Sequence, residues 1–413
     1  MLCSARALAR RAGVLGSSQA RWAGPTQRCA RLQARPCQGF STSSSRPAPL
    51  PPVVWLVLRP ISKFMAVLFG RAYRKWWRAL PHDKRAVFKE SVQRNRKRII
   101  VVSTAVAGLS LHYYVSHLQT TPVTGRTRFV AFTPEQFDKI SQEGFDQMIE
   151  EHGASVLPAG HEAYDAVVRV ANRLLAANAD LDEVHDKDWS VTVVDDEDLV
   201  NAYVLPCGKI FVFTGMLEFC TSDDQLGCVL GHEMAHSLLG HGGERFSRAH
   251  LIDLMLILPL AAIWAFLPND GISAFAHWFF RTTVGLLADM PHSRELETEA
   301  DEVGLRLAAK GCFDVREASA FWAKMALRRE MEDGVSPEWL STHPADEARR
   351  ESIDRQVPDL QRTRDLCQCA PLPDRDPRAE FEQFRQRLLE EKAAARALMA
   401  TPLTKPDAAR SGG

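Results

Sequence analysis

The stretch Ser222-Asp-Asp-Gln-Leu-Gly-Cys-Val-Leu-Gly-His232-Glu233-Met-Ala-His236 decides the fold. Ser222 followed by Gln225 is a capping box, so a helix opens there, with Leu226, Val229, Leu230 and Leu238 on its apolar side. Residues four apart on a helix face the same way, so His232 and His236 can converge on one Zn²⁺ ion. Glu233, beside the first imidazole, can then reach the attacking water as general base. Such a five-residue pattern arises by chance in roughly a few per cent of chains this long, so a third ligand is needed to settle the reading.

That ligand is sought in Ser293-Arg-Glu-Leu-Glu297-Thr-Glu299-Ala-Asp301, on a second helix running toward Gly311. Glu297 and Asp301 share one face, so one can bind metal while the other orients a ligand imidazole. Three protein ligands and an open fourth position make a catalytic rather than a structural site. Glu295, Glu299 and Glu302 read as a solvated face, and His241, past Gly240, as a polar helix end. His112 and His117 read as residues at the end of a membrane anchor. Upstream, Tyr164, Val167, Val168, Ala171, Leu174 and Leu175 have helical spacing. Trp189–Val194 alternates, and Lys209–Phe213 is rich in β-favouring residues after the turn Pro206-Cys207-Gly208. The expected fold is α+β, a mostly helical zincin-like (gluzincin) metalloprotease domain with a small β-sheet, preceded by one transmembrane helix.

Over the whole chain of 413 residues, 51 Lys+Arg balance 51 Asp+Glu, and 46% of residues are apolar. This excludes collagen-like, disulfide-knot and wholly disordered chains. The balance hides an asymmetry, because no Asp or Glu precedes Asp83. Residues 1–46 hold eight Arg and no acid, and are rich in Ser and Ala, which fits a mitochondrial transit peptide. Arg10 and Arg11 interrupt the apolar core that a secretory signal needs. No basic fold motif follows, which argues against a nucleic-acid-binding arm, and no nucleic-acid partner is expected.

Residues 47–98 mix cations with Trp and Phe, as in a segment lying on anionic lipid such as cardiolipin; the alternative is a soluble amphipathic helix. Residues 99–117 carry no formal charge and would span roughly 28 Å as a helix, close to the bilayer core. Arg94, Arg96, Lys97 and Arg98 crowd its N-terminal side, placing the N-terminus in the matrix and the catalytic domain, 118–370, in the intermembrane space. Within that domain, apolar runs at 251–267 and 271–287 suit a membrane-contacting hairpin, against the alternative of a buried helical pair. Residues 371–413 read as a charged helix, Ala379–Leu398, and a tail.

Taken together, Asn201-Ala-Tyr, Lys209-Ile-Phe-Val-Phe-Thr-Gly-Met-Leu217, Gly231-His-Glu-Met-Ala-His236, Ser293-Arg-x-x-Glu297-x-x-Ala-Asp301 and Ser341-Thr-His-Pro344 resemble the HtpX-like (CAAX-prenyl-protease-like) membrane gluzincins. With the transit segment and anchor, the resemblance is to the mitochondrial inner-membrane branch whose activity overlaps that of the m-AAA protease. It covers about residues 125–370. It implies that His232, His236 and Glu297 hold one Zn²⁺ per subunit, that Glu233 is the base and that Asp301 orients a ligand. It places His343 near the active site, where it stabilises the oxyanion. It also implies that the extended segment before the zinc helix pairs with substrate as an added strand. Cys207 stands where relatives often carry Gly.

The implied activity is stress-activated zinc endoproteolysis of inner-membrane proteins, among them the dynamin-like fusion GTPase and the chain itself. The alternative is a catalytically silent zinc-binding membrane scaffold; a homo-oligomer is left open. A prenyl-protein-type protease of the endoplasmic reticulum is disfavoured by the transit segment. Cys220 and Cys228 read as small core residues. In a compartment able to oxidise thiols, Cys312 is expected to pair with Cys367 or Cys369.

Overall fold

Ser222 does open the helix. Its hydroxyl accepts the Gln225 amide at 3.1 Å, while the Gln225 side chain takes the Thr221 amide at 3.0 Å, one residue earlier than a reciprocal box requires. The computed structural model describes residues 52–121, 123–284, 290–331, 338–339, 343 and 347–400, so the expected transit peptide lies outside the described residues.

The helix so capped, α8 (Asp223–Leu239), is the centre of the catalytic domain. Apart from Asp223, Asp224 and His236 its residues are buried, as befits a helix enclosed on every side. It is numbered after α1 (Pro52–Ala79), α2 (His82–Arg94), α3 (Arg96–Ser116), β1 (Leu118–Thr120), β2 (Thr127–Phe129), α4 (Pro134–His152), α5 (Glu162–Ala177), α6 (Asp182–His185), β3 (Ser190–Val194), β4 (Ala202–Val204), β5 (Lys209–Phe213) and α7 (Thr214–Phe219). After it come α9 (His241–Phe266), α10 (Asp270–Val284), α11 (Met290–Lys310), α12 (Arg316–Met331), α13 (Glu347–Leu366) and α14 (Pro377–Ala400). Helices dominate, with two small sheets, in keeping with the α+β expectation.

The larger sheet runs β3-β5-β4, with β3 parallel and β4 antiparallel to the central strand. Ile210 and Val212 point from β5 into the main core beside Leu230 and Met234 of α8. Edge strand β4 lies against α8. In the turn before β5 the left-handed position falls on Gly208, φ 91°. Cys207, with no positive φ, accepts no glycine-like geometry and bonds to Ser141 instead.

Gly240, φ 66°, ends α8 and starts α9 at once, redirecting the chain out of the core. On α9 and α10 large apolar side chains face outward: Leu258, Phe266, Phe275 and Trp278 are 61–79% exposed. That is inconsistent with a helical pair buried in a soluble core. The end of the second apolar run, 285–287, lies outside the described residues. None of α3 is buried, and both α3 and α9 are long and apolar enough to cross a membrane.

The basic segment does not stand apart from this hairpin. Helix α1 runs alongside α9, with Lys63 paired to Asp253 at 2.5 Å and Arg71 to Asp270 at 2.6 Å. Arg74 donates to the Leu267 carbonyl at 3.0 Å. Gly70 lies so close that a Cβ there would meet the Ala261 oxygen at 2.5 Å. Sequence periodicity had given no sign of this pairing.

Of the two disulfide partners considered, Cys369 is the one joined to Cys312, and Cys367 is a free thiol. Gln368 is left-handed at φ 57°, which turns the chain past Cys367 at the end of α13. The bridge spans 57 positions. Removing it by Cys312→Ser/Cys369→Ser is expected to lower unfolding free energy by about 2–4 kcal/mol, read from denaturant melts of the oxidised chain.

Candidate metalloprotease active site

His232 and His236 lie one turn apart on α8, their Nε2 atoms 3.1 Å from each other. Opposite them α11 brings Glu297, with Oε2 at 3.4 Å from His232 Nε2 and Oε1 at 3.5 Å from His236 Nε2. This approach depends on two glycines facing each other: a Cβ on Gly231 would meet the Gly304 oxygen at 2.7 Å, and one on Gly304 the His232 Cα at 2.7 Å.

One turn beyond Glu297, Asp301 Oδ1 lies 3.0 Å from His232 Nδ1. It accepts a hydrogen bond from that nitrogen and fixes the ring with Nε2 turned toward Glu297. Arg349 grips Asp301 through Nε at 2.5 Å and Nη2 at 2.8 Å, and stacks over Trp322 at 3.8 Å. Arg245 and Arg349 reach the two Glu297 oxygens at 3.0 and 3.1 Å. Glu233 accepts the Trp339 indole N–H at 3.0 Å. His343 stands between the two acids, with Nδ1 at 2.7 Å from Glu297 and Nε2 at 3.4 Å from Glu233.

His232, His236, Glu297 and His343 thus offer donor atoms within 4.8 Å of one another. Around a tetrahedral ion with bonds near 2.1 Å, donors sit roughly 3.4 Å apart, so this set fits a zinc-type site. Burial disfavours charge on Glu297, yet its hydrogen bonds with His232, His236 and His343 outweigh that and hold the carboxyl well below its ordinary range. Burial likewise lowers His232, but the Asp301 and Glu297 carboxylates overcome it and raise the imidazole to about 9. His236 is pushed well down, by burial first.

All six residues singled out around the motif, His232, Glu233, His236, Glu297, Asp301 and His343, are therefore brought together. Of the Ser341–Pro344 motif only His343 is among the described residues.

Comparison with known proteins agrees with this geometry. Residues 165–357 match the model of peptidase family M48. "Metalloendopeptidase OMA1, mitochondrial" of Danio rerio is 40% identical over 357 residues, covering 86% of this chain and 74% of that protein. The chain belongs to peptidase family M48. The human protein of the same description is 37% identical over 86% of this chain and 68% of its own length. "Mitochondrial metalloendopeptidase OMA1" of Saccharomyces cerevisiae is 29% identical, over 73% and 86%. As an M48 member with mitochondrial relatives, the chain is a metalloendopeptidase.

Two expectations need correcting. Glu299 is not solvated: it is buried, and accepts Arg126 Nε at 2.8 Å. Of its neighbours Glu295 is exposed and Glu302 half-buried beside Arg306. His241 does open α9 at a helix end, but it is buried, against His236 and Glu299. The burial of Glu299 goes with the return of Arg126 from the loop between β1 and β2, which no local pattern signals. Trp339 and Arg349 were also missed. A Trp four residues before His343 is the only local signal for the first.

Arg126 also holds Glu244 at 2.6 and 2.8 Å. Burial raises both acids, but His292 and Arg126 bring Glu244 down to about 2, and His241, Thr124 and Arg126 bring Glu299 down to about 2. A carboxyl lowered by folding contributes stability above its unfolded value near 4.5, and loses it as pH falls toward 2. The stability difference between wild type and Arg126→Met should therefore be full above about pH 5 and close toward pH 2, read from melts across that range.

Proposed function

We propose that the chain is a zinc endopeptidase of the mitochondrial inner membrane, activated by stress, that cleaves inner-membrane proteins including the dynamin-like fusion GTPase, and also itself. The observation carrying this reading is the convergence of His232, His236 and Glu297 with Glu233 beside them. These three side chains would hold the metal, and zinc is the ion best suited to two imidazoles and a carboxylate at this spacing. When bound, zinc supplies Lewis acidity toward the scissile carbonyl and the attacking water.

The chain's own groups do the rest. Glu233, fixed by the Trp339 N–H, takes the proton from the water and returns it to the departing amine nitrogen. A ring N–H of His343 supplies a donor for the developing oxyanion. Edge strand β4 offers its free side to an extended substrate strand beside α8. A silent scaffold would have no use for an intact Glu233 so held.

For topology, residues 1–46 act as transit peptide, 47–98 as a basic segment able to meet anionic lipid such as cardiolipin, and 99–117 as the anchor, with domain 118–370 in the intermembrane space and 371–413 as tail. The exposed apolar faces of α9 and α10 support a hairpin lying in the bilayer. Because α1 packs along α9, part of the basic segment accompanies that hairpin.

Depolarised mitochondria carrying wild type or Glu297→Ala test the reading. Wild type should shorten the fusion GTPase and itself, and Glu297→Ala should leave both intact. Equal cleavage in the two would assign the work to another protease and favour the scaffold.

A further inference from the structure

Beside the cluster of candidate metal ligands, His236 meets a second imidazole. His236 Nδ1 lies 2.9 Å from His241 Nδ1, and His241 Nε2 lies 3.1 Å from Glu299 Oε2. His241 is 1% exposed, so water does not supply these contacts. Glu299 is itself fixed by Arg126 at 2.8 Å and by the Thr124 hydroxyl.

The direction of the hydrogen bonds follows from the end of the chain. An ionised carboxylate only accepts, so His241 must carry its proton on Nε2. A neutral His241 then has only a lone pair on Nδ1, and a contact with His236 Nδ1 requires the proton to be on His236. The Nε2 of His236 is left bare and points at Glu297 and His232. The other imidazole is held differently, its Nδ1–H donating to Asp301 directly. The i,i+4 spacing brings the two rings to one point but does not fix their tautomers, and each ring has its own acceptor.

We infer that His241 is a positioning residue, which fixes the tautomer and ring orientation of His236 through the chain His236–His241–Glu299 and so presents its Nε2 to the metal. This rests on the reading of His236 as a metal ligand. Thr124 and Arg126 anchor the far end of the chain and lie in the loop between β1 and β2, a few residues after α3. The orientation of a metal ligand is thereby set from the segment that leaves the membrane anchor.

The test uses the full chain in detergent, with zinc affinity measured by competition with a chromophoric chelator, and the ligand field of the cobalt-substituted protein by absorption. His241→Phe fills the space without an acceptor, and should weaken zinc about 10–100-fold and alter the cobalt bands. His241→Asn places an amide oxygen near the position of Nδ1 and should recover most of the affinity. Glu299→Gln is isosteric and keeps an acceptor without the charge, so it should fall between, and serves where His241→Phe does not fold. Wild-type affinity and cobalt bands in folded His241→Phe, or in Glu299→Gln where it is the readable variant, would overturn the inference. Equal loss in His241→Asn and His241→Phe would do so too, since packing alone would then explain it. His236→Ala separates this from the underlying reading: stoichiometric tight zinc in that variant would mean His236 is no ligand at all.

Discussion

Glu233→Gln is expected to leave a folded chain that keeps its metal and has almost no peptidase activity. The substitution keeps volume and an oxygen for the Trp339 N–H, now at 3.0 Å from Glu233, so the local structure has no reason to rearrange. Glu233 is not among the four residues whose donors converge, so metal content should remain at the wild-type level. The amide cannot take a proton from water, and general-base assistance of this kind accounts for about 10²–10⁴ in rate. The loss should fall on kcat and on kcat/KM together, since the missing interaction belongs to the transition state. Steady-state kinetics on a quenched peptide, beside metal analysis of the same preparation, read both. Retention of more than about a tenth of kcat would move the base to another group, with His343 next in reach at 3.4 Å from Glu233.

The parts of this site legible in the sequence are those set by one helix at a time. Ser222 and Gln225 mark where α8 begins, and the spacing of His232, Glu233 and His236 follows from its geometry. Glu297 and Asp301 are likewise one turn apart on α11, and their division of labour follows once His232 Nδ1 is found 3.0 Å from Asp301. What escaped is what depends on two distant segments meeting. Glu299 differs from Glu297 by two positions and so lies on the far side of α11, where a surface acid is the ordinary expectation. It is buried because Arg126, 173 residues earlier, comes back to pair with it. The same holds for Arg349 on Asp301, 48 residues away, and for Lys63 on Asp253. The disulfide was narrowed to two partners by compartment chemistry, but the pairing with Cys369, beside left-handed Gln368 and with left-handed Cys312, is not revealed by composition.

A valine at position 304 should leave no folded catalytic domain, and an alanine there should already weaken both fold and metal site. Gly304 lies two turns after Glu297 on the same face of α11, where that helix crosses α8 at Gly231. A Cβ there would sit 2.7 Å from both the Cα and the N of His232 and 2.8 Å from the Gly231 carbonyl carbon. These are backbone atoms of a buried helix, so no side chain can rotate away and the helices must separate. Two effects oppose each other in Gly304→Ala. Helix propensity gains about 1 kcal/mol, and overpacking costs typically about 1–3 kcal/mol and more where the neighbours cannot yield. Overpacking wins, because the contact is with main chain. The net loss should be about 2 kcal/mol, seen as a lower melting temperature of the apo-protein. The separation also carries Glu297 away from the imidazoles, now at 3.4 and 3.5 Å, so metal affinity should fall in the same variant. The two added methyls of valine meet the same wall, and its β-branch further restricts the rotamer. Gly108, on α3 with nothing within 4 Å of an added Cβ, provides the control: Gly108→Ala should not lower the melting temperature, since only the gain in helix propensity acts there, and should leave metal affinity unchanged. An unchanged melting temperature and unchanged metal affinity in Gly304→Ala would show that the Gly231–Gly304 crossing is not what brings Glu297 to the two histidines.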